Sequence, residues 1–310
     1  MIQLVPGRLA KPDWLKAKVA LPNARFKNIQ GVVKDLKLST VCQEAQCPNI
    51  AECWGGGTAT FMLMGDTCTR ACKFCNVNHG KPQLLDPEEP KHLAEAIAKL
   101  KLDYAVITCV DRDDVPDGGA SHFASCITYL KQAQPELLIE ILVSDFQGKH
   151  QDTQKVIDAQ PHVYGHNIET VERLQKSVRD HRANYKQSLG VLEYVKKSTA
   201  GSQKMYTKSA IMVGLGETPE EVIQTMKDLR TIDVDFLTIG QYLRPSAWNL
   251  PVKEYVPPDQ YKEYERIGKE LGFIYVAAGP FVRSSYRAGE LFIKNVLKSH
   301  DIMRTNVNYR

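Results

Sequence analysis

Three cysteines fall within eight residues of the stretch "DTCTRACKFCNVNHG" (66–80). Cys68, Cys72 and Cys75 follow the spacing C-x3-C-x2-C. Thiolates this close can wrap one soft metal ion or one iron–sulfur cluster. Three cysteines leave one iron of a cubane without a protein ligand, and such an open position can take a small molecule. A closed structural zinc would want a fourth ligand, for which His79 is the local candidate. Spacing alone leaves both readings open.

A second triplet lies upstream in "CQEAQCPNIAEC", where Cys42, Cys47 and Cys53 read C-x4-C-x5-C. Two triplets so close in sequence argue against inert core thiols. The remaining two of the eight cysteines, Cys109 and Cys126, have apolar neighbours and read as packing residues. The opening residues, "MIQLVPGRLAKPDWLKAKVALP", show no apolar h-region and no cleavage-like site. A bacterial-type cytoplasm is therefore the expected location, where clustered thiols bind metal or do chemistry more often than they form disulfides.

Composition bounds the rest. The chain has 310 residues, 43% hydrophobic and 25% charged, the profile of an ordinary globular protein. No apolar run reaches the roughly 18 residues of a membrane span, so no membrane association is expected. The net charge of +4, from 40 basic and 36 acidic residues, is too mild to argue for nucleic acid.

The elements that must carry the thiols follow a regular alternation. The first 58 residues read as irregular. Strand patterns then fall at 58–65, 104–110, 137–145, 162–167, 206–216 and 234–241. Helix patterns fall at 87–102, 118–133, 153–160, 170–178, 185–198 and 219–232. Apolar strands alternating with amphipathic helices predict a parallel sheet. Six such units are too few for a closed eight-stranded barrel. Polar residues gather at the C-terminal ends of the strands: Asp111, Asp145, Asn167, Glu169, Glu217 and Gln241. That rim is where α/β folds build sites, and the downstream triplet follows the first strand onto it. The expected architecture is a partial (β/α)6 TIM-type barrel. It divides into an N-terminal extension with the upstream cysteines (1–58), the barrel core (59–245) and a C-terminal segment (246–310).

The downstream triplet after a first barrel strand resembles the radical S-adenosylmethionine enzymes. Further runs make the chain similar to the lipoyl synthase family among them. These are the upstream triplet, "VDRDDVPDGGA" (110–120), "HNIET" (166–170), "VGLGET" (213–218), "TIGQYLRPS" (238–246) and "GPFVRSSY" (279–286). The resemblance spans about Lys11 to Ala288. It implies that Cys68, Cys72 and Cys75 hold the cluster that binds and reductively cleaves S-adenosylmethionine. Cys42, Cys47 and Cys53 would hold a second, auxiliary cubane, with a serine of "RSSY" as fourth ligand: Ser285, or Ser284 as the alternative. Asn167 and Glu169 would bond the cofactor ribose. Arg182 would pair with the cofactor carboxylate, with Arg179 competing. The implied reaction is insertion of two sulfurs, drawn from the auxiliary cluster, at carbons 6 and 8 of a protein-bound octanoyl chain. Implied partners are an octanoylated lipoyl carrier domain or H-protein, and an electron donor such as ferredoxin or flavodoxin.

Other residues have structural readings beside these. Asn167 and Glu169 could simply start a helix. The acids of "VDRDDVPDGGA" could sit in a solvated turn or line the pocket. Gly214 and Gly216 would permit a bend or a close approach to adenine. Arg283 would orient the auxiliary cluster, carry charge for the partner domain or form a surface ion pair. The segment "PSAWNLPV" departs from the family, with Asn249 where many relatives have His. A zinc-stapled binding module and an iron–sulfur carrier are the competing classes.

Overall fold

The computed structural model describes residues 9–16, 21–200, 205–285 and 295–296. Tyr286 of "RSSY" lies outside the described residues.

The N-terminal stretch is more regular than its scattered Pro and Gly suggest. Helix α1 (Ala24–Asp35) starts at Asn23, whose side chain accepts from the Phe26 N–H, and it buries Ile29 and Val33 one turn apart. A two-residue strand β1 (Ser39–Thr40) leads into α2 (Val41–Glu44), then α3 (Ile50–Gly55). Polar residues and Gly31 break the periodicity of α1, which is why it reads as irregular.

The first barrel strand, β2 (Thr60–Leu63), is buried along its whole length. Two-residue strands β3 (Thr67–Cys68) and β4 (Asn78–His79) then pair with each other and frame the cysteine loop. Helix α4 (Glu89–Leu100) and β5 (Tyr104–Cys109) follow, then α5 (Ala120–Ala133) and β6 (Leu138–Leu142). Next come α6 (His150–Asp158), β7 (Val163–Gly165), α7 (Gln175–Val178) and α8 (Tyr185–Thr199). Strand β8 (Tyr206–Val213), α9 (Pro219–Thr231) and β9 (Phe236–Gln241) complete the six predicted units. The helix expected at 170–178 is instead a 3-10 turn over Glu172–Leu174 followed by the single turn of α7. Gln175 explains the break, because its side chain turns back to donate to the Ile168 and Thr170 carbonyls.

One unit was not foreseen. Helix α10 (Pro258–Glu270) and strand β10 (Tyr275–Gly279) add to the open edge, with β10 parallel to β9. The eight-stranded sheet runs β1-β2-β5-β6-β7-β8-β9-β10, parallel throughout except for β1. The sheet order does not close on itself, so the barrel is partial. Its C-terminal strand ends share one rim.

The N-terminal helices share the barrel's core. Ile29, Val33 and Trp54 pack in one cluster with Phe61, Leu93 and Phe123. Cys126 is buried in that cluster and Cys109 is packed against it. Glu89, at the start of α4, accepts the Met64 N–H on both carboxylate oxygens, at 2.9 and 3.0 Å. His122 sits 2.6 Å from the same carboxylate. These bonds hold Met64 at φ 66°, a left-handed corner from which the cysteine loop departs.

Candidate cluster and cofactor cavity

A cavity of about 510 Å³ opens on the C-terminal rim. All six triplet cysteines line it, together with Ser284 and Ser285. The upstream cysteines come from α2, from the turn after it and from α3; the serines arrive from the far end of the chain, just past β10. Two features bring these distant segments together. Asn49 Nδ2 donates to the Phe281 carbonyl at 2.7 Å. Gly240, inside β9, lets residues 282–283 cross the sheet, since a Cβ there would collide with the Val282 carbonyl.

The downstream thiols sit in a lattice of donors. Cys68 Sγ accepts the Arg70 N–H at 3.4 Å and the Asp111 N–H at 3.3 Å. Cys72 Sγ accepts the Asp180 N–H at 3.3 Å. Backbone N–H groups aimed at sulfur are the setting that anionic cluster ligands need. Burial, reinforced by the Asp111 carboxylate, pushes the Cys68 thiol up. Burial takes Cys72 up to about 12, and it raises Cys75 as well. Binding of a metal centre by these thiols must displace their protons.

One arginine organises this loop, and sequence reading missed it. Arg70 is 3% exposed and pairs with Asp113 at 2.8 Å and Asp145 at 2.7 Å. Asp111 lies 3.4 Å away. Asp145 is fully buried, and although burial pushes its carboxyl up, the hydrogen bond and charge of Arg70, with the Gln147 N–H and His166 adding to them, together hold it down to about 2. Asp111 goes the other way, to about 6, chiefly by burial, with Arg70 opposing and Asp145 and Asp113 adding to the rise. The only sequence signal was a lone cation between two cysteines.

The remaining rim residues divide. Asp111, Asp145, Asn167, Glu169 and Gln241 line the cavity; Glu217 does not. Glu217 instead accepts the Leu215 N–H at 3.0 Å and the Gly214 N–H. Gly214, at φ 96°, serves the bend rather than the cavity. Of the "VDRDDVPDGGA" acids, only Asp111 reaches the cavity. Asp113 pairs with Arg70, Asp114 with Arg112, and Asp117 caps the start of α5 through the Ser121 N–H. Glu169 holds a left-handed φ of 67°, a strained conformation of the kind found at functional sites. Burial raises its carboxyl, and Arg179 and a hydrogen bond from Asn167 oppose the rise.

The two arginines weighed for the cofactor carboxylate are placed differently. Arg182 does not line the cavity. Its guanidinium donates to Asp180 at 2.8 Å and to the Thr69 carbonyl at 2.7 Å. Arg179 lines the cavity, is buried, and leaves Nε without a hydrogen-bond partner. The buried Thr238 hydroxyl, which also lines the cavity, is unpartnered too. Buried polar atoms left open around a cavity fit a polar ligand there. His166 is structural: it is buried between the Val143 carbonyl and Ser188 Oγ, each at 2.9 Å. His79 is exposed at the cavity edge, paired in register with Cys68. Arg283 also lines the cavity and is half-buried, close enough to feel the charge of Cys47.

The family model for the Radical SAM superfamily matches residues 62–229. Lipoyl synthase of Myxococcus xanthus is 54% identical over 295 residues, covering 95% of this chain and 97% of that protein. The chain belongs to the lipoyl synthase family. Its relatives in this family include the Thermus thermophilus protein, 54% identical over 286 residues, with 92% of this chain and 87% of that protein covered. The mitochondrial lipoyl synthase of Zea mays is 51% identical over 297 residues, covering 94% and 77%. Among solved structures, methylornithine synthase superposes with a TM-score of 0.53 at 14% identity, over 82% of this chain and 81% of that one. Streptococcus suis SuiB bound to S-adenosylmethionine gives 0.52 at 11% identity, over 74% and 53%. These two likenesses speak for the fold alone. Family membership answers the question that spacing left open, in favour of iron–sulfur clusters over zinc.

Proposed function

We propose that this protein is a sulfurtransferase that inserts two sulfur atoms, at carbons 6 and 8, into an octanoyl chain carried on a protein lysine. The reading rests above all on one cavity lined by both cysteine triplets and by Ser284 and Ser285. When bound, two 4Fe-4S clusters and S-adenosylmethionine supply one-electron cleavage and sulfide, chemistry that unactivated C–H bonds require and side chains lack.

The chain's own residues hold, orient and exclude. Cys68, Cys72 and Cys75 are the proposed ligands of the cofactor-binding cluster. N–H donors from Arg70, Asp111 and Asp180 steady two of their sulfurs. Cys42, Cys47, Cys53 and Ser285 are the proposed set for the auxiliary cluster, with Ser284 the alternative. A serine oxygen is a harder ligand than thiolate and releases its iron more readily, which suits a cluster consumed as sulfur donor. Asn167 and Glu169 face the cavity from one strand end and suit ribose hydroxyls. Arg179, with its open Nε, suits the cofactor carboxylate better than Arg182, whose fork is spent on Asp180. Apolar lining from Val41, Ile50, Met62 and Met212 suits the acyl chain and keeps water out.

The acyl carrier is a lipoyl carrier domain or H-protein, and the reductant a ferredoxin or flavodoxin. Among the described residues no helix is long and apolar enough to cross a membrane. The proposed setting is a bacterial cytoplasm, in line with the bacterial relatives. The test is product analysis on anaerobically reconstituted protein, given octanoyl-lysine carrier peptide or dethiobiotin. The expected result is a peptide with two sulfurs in place of two hydrogens, and no change to dethiobiotin. Thiolation of dethiobiotin alone would overturn the reading.

A further inference from the structure

Trp248 is 97% exposed, yet the segment that carries it is firmly held. Ser246 Oγ accepts the Trp248 N–H at 3.3 Å, and Asn249 Oδ1 accepts from Ser246 Oγ at 2.7 Å. Arg244 donates to the Asn249 carbonyl at 2.8 Å and to the Ala247 carbonyl. Tyr242 donates its hydroxyl to the Leu250 carbonyl at 2.8 Å. The indole is thus displayed on a braced backbone, so little ordering entropy remains to be lost when a partner covers it.

The same segment is continuous with the cavity. Leu243, Arg244 and Pro245 line it, three residues before the indole. Asn249 Nδ2 donates to the carbonyls of Lys73 at 3.3 Å and Cys75 at 2.8 Å, and so ties this segment to the cysteine loop. Two exposed cations belong to this segment and to the loop it is tied to. Arg244 lies against the carbonyls on either side of Trp248, and Lys73 sits on the tied loop. Neither forms an ion pair with an acid among the described residues.

We propose that the Trp248 segment is the docking surface for the acyl-bearing protein. Trp248 is the apolar anchor, and Lys73 and Arg244 meet acidic side chains beside the acylated lysine. This rests on the acyl-carrier reading above and deepens it. A free fatty acid would need only the cavity; a displayed indole on a segment that carries or is tied to two exposed cations without acid partners fits a protein surface with an apolar spot and a negative border. Asn249, which departs from the residue common in relatives, then joins the docking surface to the cysteine loop.

The test is equilibrium binding to the cluster-loaded protein, using two probes. One is an intact octanoylated carrier domain with acids flanking its lysine; the other is an octanoyl-lysine tripeptide without acids. Trp248→Ala is expected to weaken the carrier domain at least about tenfold and the tripeptide by less than about twofold. Lys73→Glu is expected to weaken the carrier domain and to flatten its salt dependence. Visible absorbance and iron content verify that each variant is loaded. Carrier affinity unchanged in both variants would overturn the proposal. Equal losses for carrier and tripeptide would overturn it too, by assigning Trp248 to the cavity wall. Failure of the unaltered protein to bind either probe would overturn the function reading, and the docking surface with it.

Discussion

The two cysteine triplets share one cavity but not one kind of support. The downstream set sits on a loop gripped by Arg70, Asp111, Asp113 and Asp145, with backbone N–H groups aimed at its sulfurs. The upstream set sits on α2, α3 and the turn between them, short elements N-terminal to the first barrel strand that pack into the barrel's core through Cys42 and Cys53. Its link to the serines runs through Asn49 to the Phe281 carbonyl. Burial raises the Cys42 thiol, with a Thr60 hydrogen bond opposing, and among the described residues no buried carboxylate–arginine brace surrounds it. On the proposed division of labour, the more heavily braced site is the one that keeps its geometry through repeated turnover, and the less braced site the one that is dismantled and remade.

Breaking the division of labour outright gives the largest effect. Loss of Cys42, Cys47 and Cys53 together is expected to abolish sulfur insertion and to lower iron from about eight to about four per chain. Cleavage of S-adenosylmethionine should continue in that variant. Cys72→Ala should abolish the cleavage itself. If the upstream triple variant still thiolated its acyl chain, the two sites would not have separate roles.

The next test removes the brace. Arg70→Met leaves Asp145 buried and uncompensated, which costs ~3–5 kcal/mol, read as a lower urea midpoint. It should also empty the downstream site and spare the upstream one. Equal loss of iron from both sites would erase the contrast in support.

Acid should weaken the downstream side through His166. Its imidazole is pushed down to about 4, chiefly by burial, against an ordinary value near 6.5. The folded state therefore resists a proton that the unfolded chain accepts. The stabilising contribution is complete above pH 6.5 and is lost as pH falls toward about 4, on the order of 3 kcal/mol. Chemical unfolding of the apoprotein between those limits should show this slope, and His166→Gln should flatten it.

The finest test concerns the serines. Ser285→Ala is expected to lose auxiliary iron on gel filtration, falling from about eight toward about four irons, with Ser284→Ala close to the parent. The opposite order would move the ligand by one residue and leave the rest of the contrast standing.

Much of this molecule was readable before any coordinates. Strands such as 104–110 and 206–216 are continuous apolar runs, because a parallel strand is buried on both faces. The cysteine spacings were equally plain, since a cluster ligand set leaves its mark in short local intervals. Helix α1 and the α10–β10 unit were not legible. In α10, charged residues outnumber its buried Tyr261 and Tyr264, and the apolar stripe is too thin to stand out. Arg182 illustrates the limit at the site. Its type and position both suited a carboxylate, and only its bonds to Asp180 and Thr69 showed it to be occupied.

By itself the sequence determined the alternating α/β architecture, the thiol pairing into two sets and the rim on which chemistry sits. Those follow from local spacing and periodicity, which a linear chain records directly. Tertiary structure alone decided that residues 42–53 and 282–285 meet, that Gly240 opens the path between them, and that Arg70 governs the loop. Each of these depends on contacts between segments far apart along the chain, where close packing and charge pairing select partners that spacing does not encode.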